Sequence, residues 1–260
     1  MIAKVTDLEI KDTFWSLNPS KAPSPDGYNS GFFRKAWPII GHEVTAAVKA
    51  FFRSGQMLKR ANSTIVALVP KVPNPSKVGD LTPISCCNIV YKCISRILAK
   101  RPQVALPSLI DHVQSGFVKG RRIADNIFLT QELMRGYHKS SSSPRCAMKV
   151  DIMKAYDNVR WDFLWDTLSS MNFHPPMIKW LQAVLPLPIA PLASMGKSPA
   201  TFMGKEGSSN AIHFPLTYLS LLWRFSLVSF DFRYHWRCGA TKILNLCFAD
   251  DLMIFCKGEL

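Results

Sequence analysis

Apolar residues recur at helical spacing through much of this chain, interrupted by short β-branched runs. Residues 42–54, HEVTAAVKAFFRS, place Val44, Ala47, Val48, Phe51 and Phe52 on one face, and Gly55 follows as a stop. Residues 63–70, STIVALVP, are β-branched and apolar and predict a short strand. Residues 88–101 repeat apolar side chains at Ile89, Cys93, Ile94, Ile97 and Leu98, a helix ended by Pro102. A further helix is predicted over 126–138, with Ile127, Leu129, Leu133, Met134 and Tyr137 apolar. The SSSSP stretch at 140–144 breaks the pattern, and CAMKVDI, 146–152, reads as a strand. Helices are then predicted over 161–171 and 175–185, the second opening on proline. Periodicity decays after Leu185. It returns at 242–258, KILNLCFADDLMIFCKG, where two apolar strands flank a two-residue acidic tip and predict a β-hairpin. No internal repeat is visible. Helices interleaved with antiparallel strands predict an α+β fold.

Composition narrows the class. The 260 residues suffice for one large or two small domains, and 48% apolar content supplies a packed core and excludes wholesale disorder. Lys and Arg outnumber Asp and Glu by 32 to 18, a net charge of +14 and a pI near 9.6. That balance favours an anionic partner, most commonly nucleic acid; the bland alternative is a generically basic surface. The seven cysteines form no C-x-x-C pair, which reads as buried thiols in a reducing compartment rather than a disulfide framework or a zinc site. The opening residues carry no apolar stretch of signal-peptide type. The nearly continuous apolar run at 214–232 has Arg224 in its middle and Asp231 near its end, whereas a span needs about 20 uncharged apolar residues. No membrane span is therefore expected, and the expected setting is intracellular, cytoplasm or nucleus.

The carboxylates carry the chemistry. Asp250 and Asp251 sit between LNLCFA and LMIF, although Asp is disfavoured inside strands. An acidic pair is ordinary turn chemistry. In a basic chain it also suits magnesium, which takes oxygen ligands and usually keeps substrate phosphates in its shell. Asp151 ends the strand before KAYD; Asp157, at the approach to the helix at 161, reads as a cap or a structural residue. Two strands ending in carboxylates could meet to hold two cations, an arrangement that stabilises the attacking and leaving oxygens of a phosphoryl displacement. Spacing alone does not show that they meet.

The order of boxes adds a resemblance. F-A-D-D after an apolar strand, with K-V-D-x-x-K-A-Y-D about a hundred residues earlier, resembles the palm of a reverse transcriptase from a LINE-type (non-LTR) retrotransposon. KAPSPDGYNSGFFRKAW resembles the family's K-A-P-G-P-D-G box. LVPKVPNPSKVGDLTPISCCNIVYK resembles I-P-K…R-P-I-S-x-x-N, and VQSGFVKGRRIADNIFLTQEL resembles Q-x-A-F-x-x-G-R-x-I-x-D-N. The likeness runs from about Lys21 to Lys205 and again from about Phe232 to the end, and its wording is closest to elements abundant in plant genomes. It implies a right-hand polymerase fragment, fingers over 1–145 and palm over 146–260, without thumb or endonuclease. It implies Mg²⁺ or Mn²⁺ held by Asp151 and Asp250 with Asp251 assisting. Tyr156 would fill the place of the sugar 2′-hydroxyl and select deoxynucleotides, Lys71 would approach the triphosphate, and Arg121 would bind template backbone or nucleotide. For Lys71 and Arg121 a solvated basic face is the alternative. The implied partners are an RNA template, a DNA primer and deoxynucleoside triphosphates.

The chain departs from the family pattern in four places. Thr82 stands where the family has arginine before P-I-S, and Ser24 replaces a glycine of the first box. Pro102 stands in a helix-rich stretch, where an interior proline costs about 3 kcal/mol. The G-L-R-Q-G-D-P-L-S-P box expected after Gly204-Lys205 is missing. Back-translating from Gly204 and inserting one adenine after the Lys205 codon gives a frame that reads GKRGLKQRDPLSPYLFVLAMEVLS, the missing box and its helix. With only the old wobble bases free, that recovery by chance is very improbable. Residues 206–229 are accordingly read as out-of-frame sequence following a one-base deletion. The sequence-level expectation is a polymerase domain inactive as written; the alternatives are a non-catalytic nucleic-acid-binding relic or a translated pseudogene product.

Overall fold

The Thr6 hydroxyl accepts the Glu9 N–H at 3.1 Å, and this N-cap starts the first helix, which apolar periodicity alone does not indicate. The computed structural model describes residues 1–21, 23–110, 114–115, 118, 120–135, 137, 145–151, 160–185, 190–194, 197–202, 245–248 and 251–257. In chain order the helices of more than one turn are α1 (Asp7–Ser16), α2 (Ser30–Ser54), α3 (Ile89–Lys100), α4 (Leu106–Leu109), α5 (Ile123–Met134), α6 (Trp161–Ser170) and α7 (Pro175–Val184). The strands are β1 (Thr64–Pro70), β2 (Leu81–Cys87), β3 (Arg145–Asp151), β4 (Ala190–Ser194), β5 (Lys197–Phe202), β6 (Asn245–Phe248) and β7 (Asp251–Lys257). The mixture of helix and strand agrees with the α+β expectation. The chain packs as two units, Met1–Pro102 with Val159–Phe214, and Gln103–Asn158 with Pro215–Leu260.

In the first unit, α3 is the central element, contacted by α1, α2 and α7. Its predicted stripe of Ile89, Cys93, Ile94, Ile97 and Leu98 is buried, together with Tyr91. The Tyr91 hydroxyl donates to the Val184 carbonyl at 2.8 Å, so a buried polar group is satisfied and the end of α7 is tied to α3. Desolvation pushes the Tyr91 hydroxyl pKa well up. Arg101, at the C-cap of α3, reaches both carboxylate oxygens of Glu9 on α1, at 3.0 and 3.3 Å. Pro102 opens a short 3₁₀ turn after α3 has ended, so the helix-interior penalty expected for it does not arise. The helix expected over 42–54 begins well earlier, at Ser30, capped by Asn29. Its buried stripe is Val44, Val48, Phe51 and Phe52, with Ala47 exposed.

The same unit carries a four-stranded sheet in the order β2-β1-β4-β5. β1 and β2 pair antiparallel from Thr64↔Cys87 to Pro70↔Leu81, and β4 joins β1 in parallel. Pro83 lies in the edge strand β2 and Pro199 in the edge strand β5, where a missing N–H is tolerated, whereas Pro191 lies in the interior strand β4 and Pro70 ends β1. β4 and β5 lie where the sequence pattern had decayed.

The second unit is built on a three-stranded antiparallel sheet, β3-β7-β6. Its central strand, β7, is apolar on both faces. Phe255 packs with Leu246 and Leu133 on one side, and Leu252 and Ile254 pack with Cys247 on the other. This two-sided burial explains the unbroken LMIFC run. The helix predicted over 126–138 is α5, displaced to 123–134. Of its five expected apolar positions only Leu133 is buried; Ile127 and Met134 are exposed. Among the described residues, no helix is long and apolar enough to cross a membrane; the apolar run at 214–232 lies outside them.

Candidate functional site

β3 and β7 pair antiparallel over their whole length, from Arg145↔Lys257 to Asp151↔Asp251. In that register Val150 stands opposite Leu252, and one step on, the last residue of β3 meets the first of β7: Asp151↔Asp251. Antiparallel partners of this kind lie about 4.5–5.5 Å apart between Cα atoms. Asp251 is also the partner of Phe248 at the end of β6. The strand ends expected to carry carboxylates are thus neighbours in one sheet. The acidic tip needs one correction: Asp251 opens β7. Asp250 lies outside the described residues, as do Tyr156 and Asp157, and the Asp151 and Asp251 side chains are likewise outside them. Among the described residues, no group of three or more metal-ligating side chains is assembled.

Gln114 and Ser115, in the loop ahead of α5, lie against the outer edge of this sheet. Gln114 forms a parallel bridge with Cys247 of β6, and the Ser115 N–H donates to the Cys247 carbonyl at 3.0 Å. The Asn126 side-chain amide, from α5, donates to the same carbonyl at 3.0 Å and to the Ser115 hydroxyl at 2.9 Å. An edge strand exposes unpaired main-chain groups, and these contacts satisfy the Cys247 carbonyl on that edge. Arg121 ties the loop together, donating to the main-chain carbonyls of Gln114 at 2.6 Å, Ile110 at 3.0 Å and Pro107 at 3.4 Å. Gly120, at φ +88°, makes the turn that delivers it. Asn126 and Ser115 were not singled out by sequence reasoning; the end of the I-A-D-N wording was the available signal.

Lys71, in the first unit, follows the last residue of β1 on an exposed hairpin connection. Its N–H donates to the Asp80 carbonyl at 2.7 Å and its Nζ to the Gly79 carbonyl at 3.2 Å. The Asp80 carboxylate accepts the N–H groups of Ser76 and Lys77, both at 3.0 Å. Those two hydrogen bonds, with help from the Lys71 charge, hold its pKa below the ordinary value. Thr82, where the resemblance leads one to expect arginine, is exposed on β2 opposite Val69.

The first box folds as a tight turn. The Gly27 N–H donates to the Ser24 carbonyl and the Ser24 N–H to the Tyr28 carbonyl, both at 2.9 Å, with Gly27 at φ +82°. Ser24 is buried and its hydroxyl donates to the Cys87 carbonyl at 3.0 Å, while Asp26 accepts from Asn88 at 3.0 Å. The turn is thereby fastened to the junction of β2 and α3.

Comparison with known proteins identifies the family. The family model described as reverse transcriptase (RNA-dependent DNA polymerase) matches residues 69–260, which include Lys71, Arg121, Asp151, Tyr156, Asp250 and Asp251 but not the Ser24–Tyr28 turn. The Transposon TX1 uncharacterized 149 kDa protein of Xenopus laevis is 26% identical over 176 residues, 68% of this chain and 13% of that protein. The Retrovirus-related Pol polyprotein from type-1 retrotransposable element R2 of Nasonia vitripennis is 24% identical over 147 residues, 56% of this chain and 14% of that protein. The corresponding polyprotein from type-2 element R2DM of Drosophila melanogaster is 22% identical over 178 residues, 68% and 16% respectively. The chain thus spans only a small fraction of the length of these relatives.

Proposed function

The chain belongs to the reverse transcriptase (RNA-dependent DNA polymerase) family, as a domain of the LINE-type, non-LTR retrotransposon kind, and from this we propose an RNA-directed DNA polymerase domain that no longer catalyses synthesis as written. The ancestral reaction is template-directed addition of deoxynucleotides to a primer 3′-hydroxyl with release of pyrophosphate. The observation that carries the reading is the Asp151↔Asp251 register at the end of β3 and β7.

Paired carboxylates on adjacent strand ends are hard oxygen donors and suit a small divalent cation. Asp151, Asp250 and Asp251 would hold Mg²⁺ or Mn²⁺; when bound, two such ions stabilise the attacking and leaving oxygens of the displacement. Lys71 would offer its charge to the triphosphate from the β1–β2 connection. Tyr156 would exclude a 2′-hydroxyl. Arg121 would act on template backbone or nucleotide through the loop its guanidinium organises. Residues 1–145 are read as fingers and 146–260 as palm, with 206–229 out of frame. An RNA template, a DNA primer and deoxynucleoside triphosphates are the partners, in an intracellular setting.

Catalytic silence is supported by Thr82 in place of the family arginine and by the missing G-L-R-Q-G-D-P box, whose positional and electrostatic contributions are not replaced by the carboxylates. A non-catalytic nucleic-acid-binding relic is the second reading, favoured by the net charge of +14. Primer extension on a primed RNA template with Mg²⁺ separates them. The chain as written should show no incorporation. A chain with Thr82→Arg and the frame restored after Lys205 and again near Phe232, joined to a thumb domain, should incorporate deoxynucleotides, and Asp151→Asn should lower that by on the order of 10²-fold or more. Robust synthesis by the unrepaired chain would overturn the silence. A repaired chain that binds primed template without extending it would leave only the relic.

A further inference from the structure

Two cysteines face each other across the strand pair that carries Asp151 and Asp251. Cys146 and Cys256 are Cα partners in the β3–β7 register. Antiparallel partners lie about 4.5–5.5 Å apart between Cα atoms, inside the roughly 4.4–6.8 Å that a disulfide spans. Directly opposed residues project to the same face of the sheet. Both are free thiols, Cys146 half-buried and Cys256 only 7% exposed. Desolvation pushes the Cys256 thiol pKa up, and the neighbouring Cys146 adds to that shift. The other described thiols lack this arrangement. Cys87 accepts from the Thr64 hydroxyl at 3.4 Å, Cys93 is fully buried in α3, Cys86 and Cys87 are successive strand residues that point to opposite faces, and Cys247 stands opposite Leu252 rather than a cysteine.

We propose that Cys146 and Cys256 are a thiol–disulfide exchange site, oxidised by a low-molecular-weight disulfide to a cross-strand bond that staples β3 to β7. The half-buried Cys146 thiolate attacks one sulfur of the disulfide RSSR, forming a mixed disulfide and releasing RS⁻, which takes up the proton Cys146 lost. Cys256 then gives up its proton and attacks the Cys146 sulfur, forming the Sγ–Sγ bond and expelling the second RS⁻, which is protonated in turn. Two thiols lose two electrons, RSSR gains them, and two RSH leave. The bond would fix the register that sets Asp151 opposite Asp251, five positions along the same strand pair, and it would close the long chain segment between residues 146 and 256. Reduction by a thiol pool would release it, so a reducing compartment is the resting setting of the site. The inference stands independently of whether the carboxylates support catalysis.

The test uses the full chain, reduced and then exposed to oxidised glutathione, with the remaining thiols alkylated and the linked peptides mapped by mass spectrometry before and after reduction. A Cys146–Cys256 linkage at least tenfold more abundant than any other cysteine pair is expected in the native chain, and a loss of that preference in urea. Cys256→Ser should leave Cys146 as a stable glutathione mixed disulfide; if that variant does not fold, the wild-type map decides by itself. The proposal is overturned if both cysteines remain alkylatable after oxidation of the native chain. It is equally overturned if their linkage is no commoner than other pairs, or equally preferred in urea, since proximity in the sheet would not then be its cause.

Discussion

A single carboxylate organises the connection that presents Lys71. Asp80 accepts two main-chain N–H groups from the turn ahead of it, and its pKa is depressed chiefly by those bonds. A group whose folded pKa is depressed stabilises the fold above its unfolded pKa, and that contribution fades as pH falls through the folded value. The Ser76 and Lys77 amides should therefore stay protected from hydrogen exchange at neutral pH and lose protection only below the usual carboxylate range. Loss of protection at the pH where an ordinary Asp titrates would show that the depression is absent, and Asp80→Ala should expose both amides at any pH. At this scale the sequence conveyed identity better than role. Asp151 and Asp251 were legible as carboxylates at strand ends. Asp80, Asn126 and Ser115 were not, because each acts on main-chain groups that only the folded loop supplies. Ser24 looked like a simple departure from glycine, yet the residue in the left-handed conformation is Gly27, and the serine hydroxyl is satisfied by Cys87.

Elements were legible where one face is buried and the caps are local. The strand at 64–70, the helix at 89–100 and the 245–257 hairpin follow from period and turn chemistry, because burial and backbone preference agree there. The pair β4 and β5 was illegible. Pro191 and Pro199 erase the strand signal, and pairing with β1 in parallel depends on a partner more than a hundred residues away. The start of α2 was missed for a related reason, since Pro38 lies inside the helix. Its end was plain: Gly55 adopts φ +69° and its N–H donates to the Phe51 carbonyl at 2.7 Å. Gly55→Ala should cost about 1–2 kcal/mol, the penalty of a side chain in the left-handed region, read as a lower urea midpoint at unchanged slope. The Lys179 side chain, 2.9 Å from the Cβ position, is flexible and can move aside. Gly79→Ala is the control. It has open space and no positive φ, and should leave the midpoint within about 0.5 kcal/mol of wild type.

For the whole molecule, charge was legible and packing was not. The chain contributes to its two units in alternate segments, so the 146–260 stretch read as palm supplies α6 and α7 to the unit that also holds α1–α3. Such interleaving is a long-range packing outcome with no local signal. The net charge needs no fold to be read, and it bears on the partner directly. Exposed cations such as Lys71 and Lys77 on the β1–β2 connection, added to a balance of +14, should attract nucleic-acid phosphates without regard to sequence. Neutralising phosphates releases condensed counterions, so affinity should fall with salt in proportion to the number of contacts. With about five contacts, duplex binding should weaken by on the order of 10²–10³ between 50 and 200 mM salt. Fluorescence anisotropy on two duplexes of unrelated sequence measures both features at once. Parallel, steep salt slopes are expected for both duplexes. A flat slope would show that the charge is only a solvated surface and would remove the support for a nucleic-acid partner that does not depend on the family resemblance. A steep slope for one duplex and not the other would mean that base contacts, rather than the diffuse positive field, govern binding.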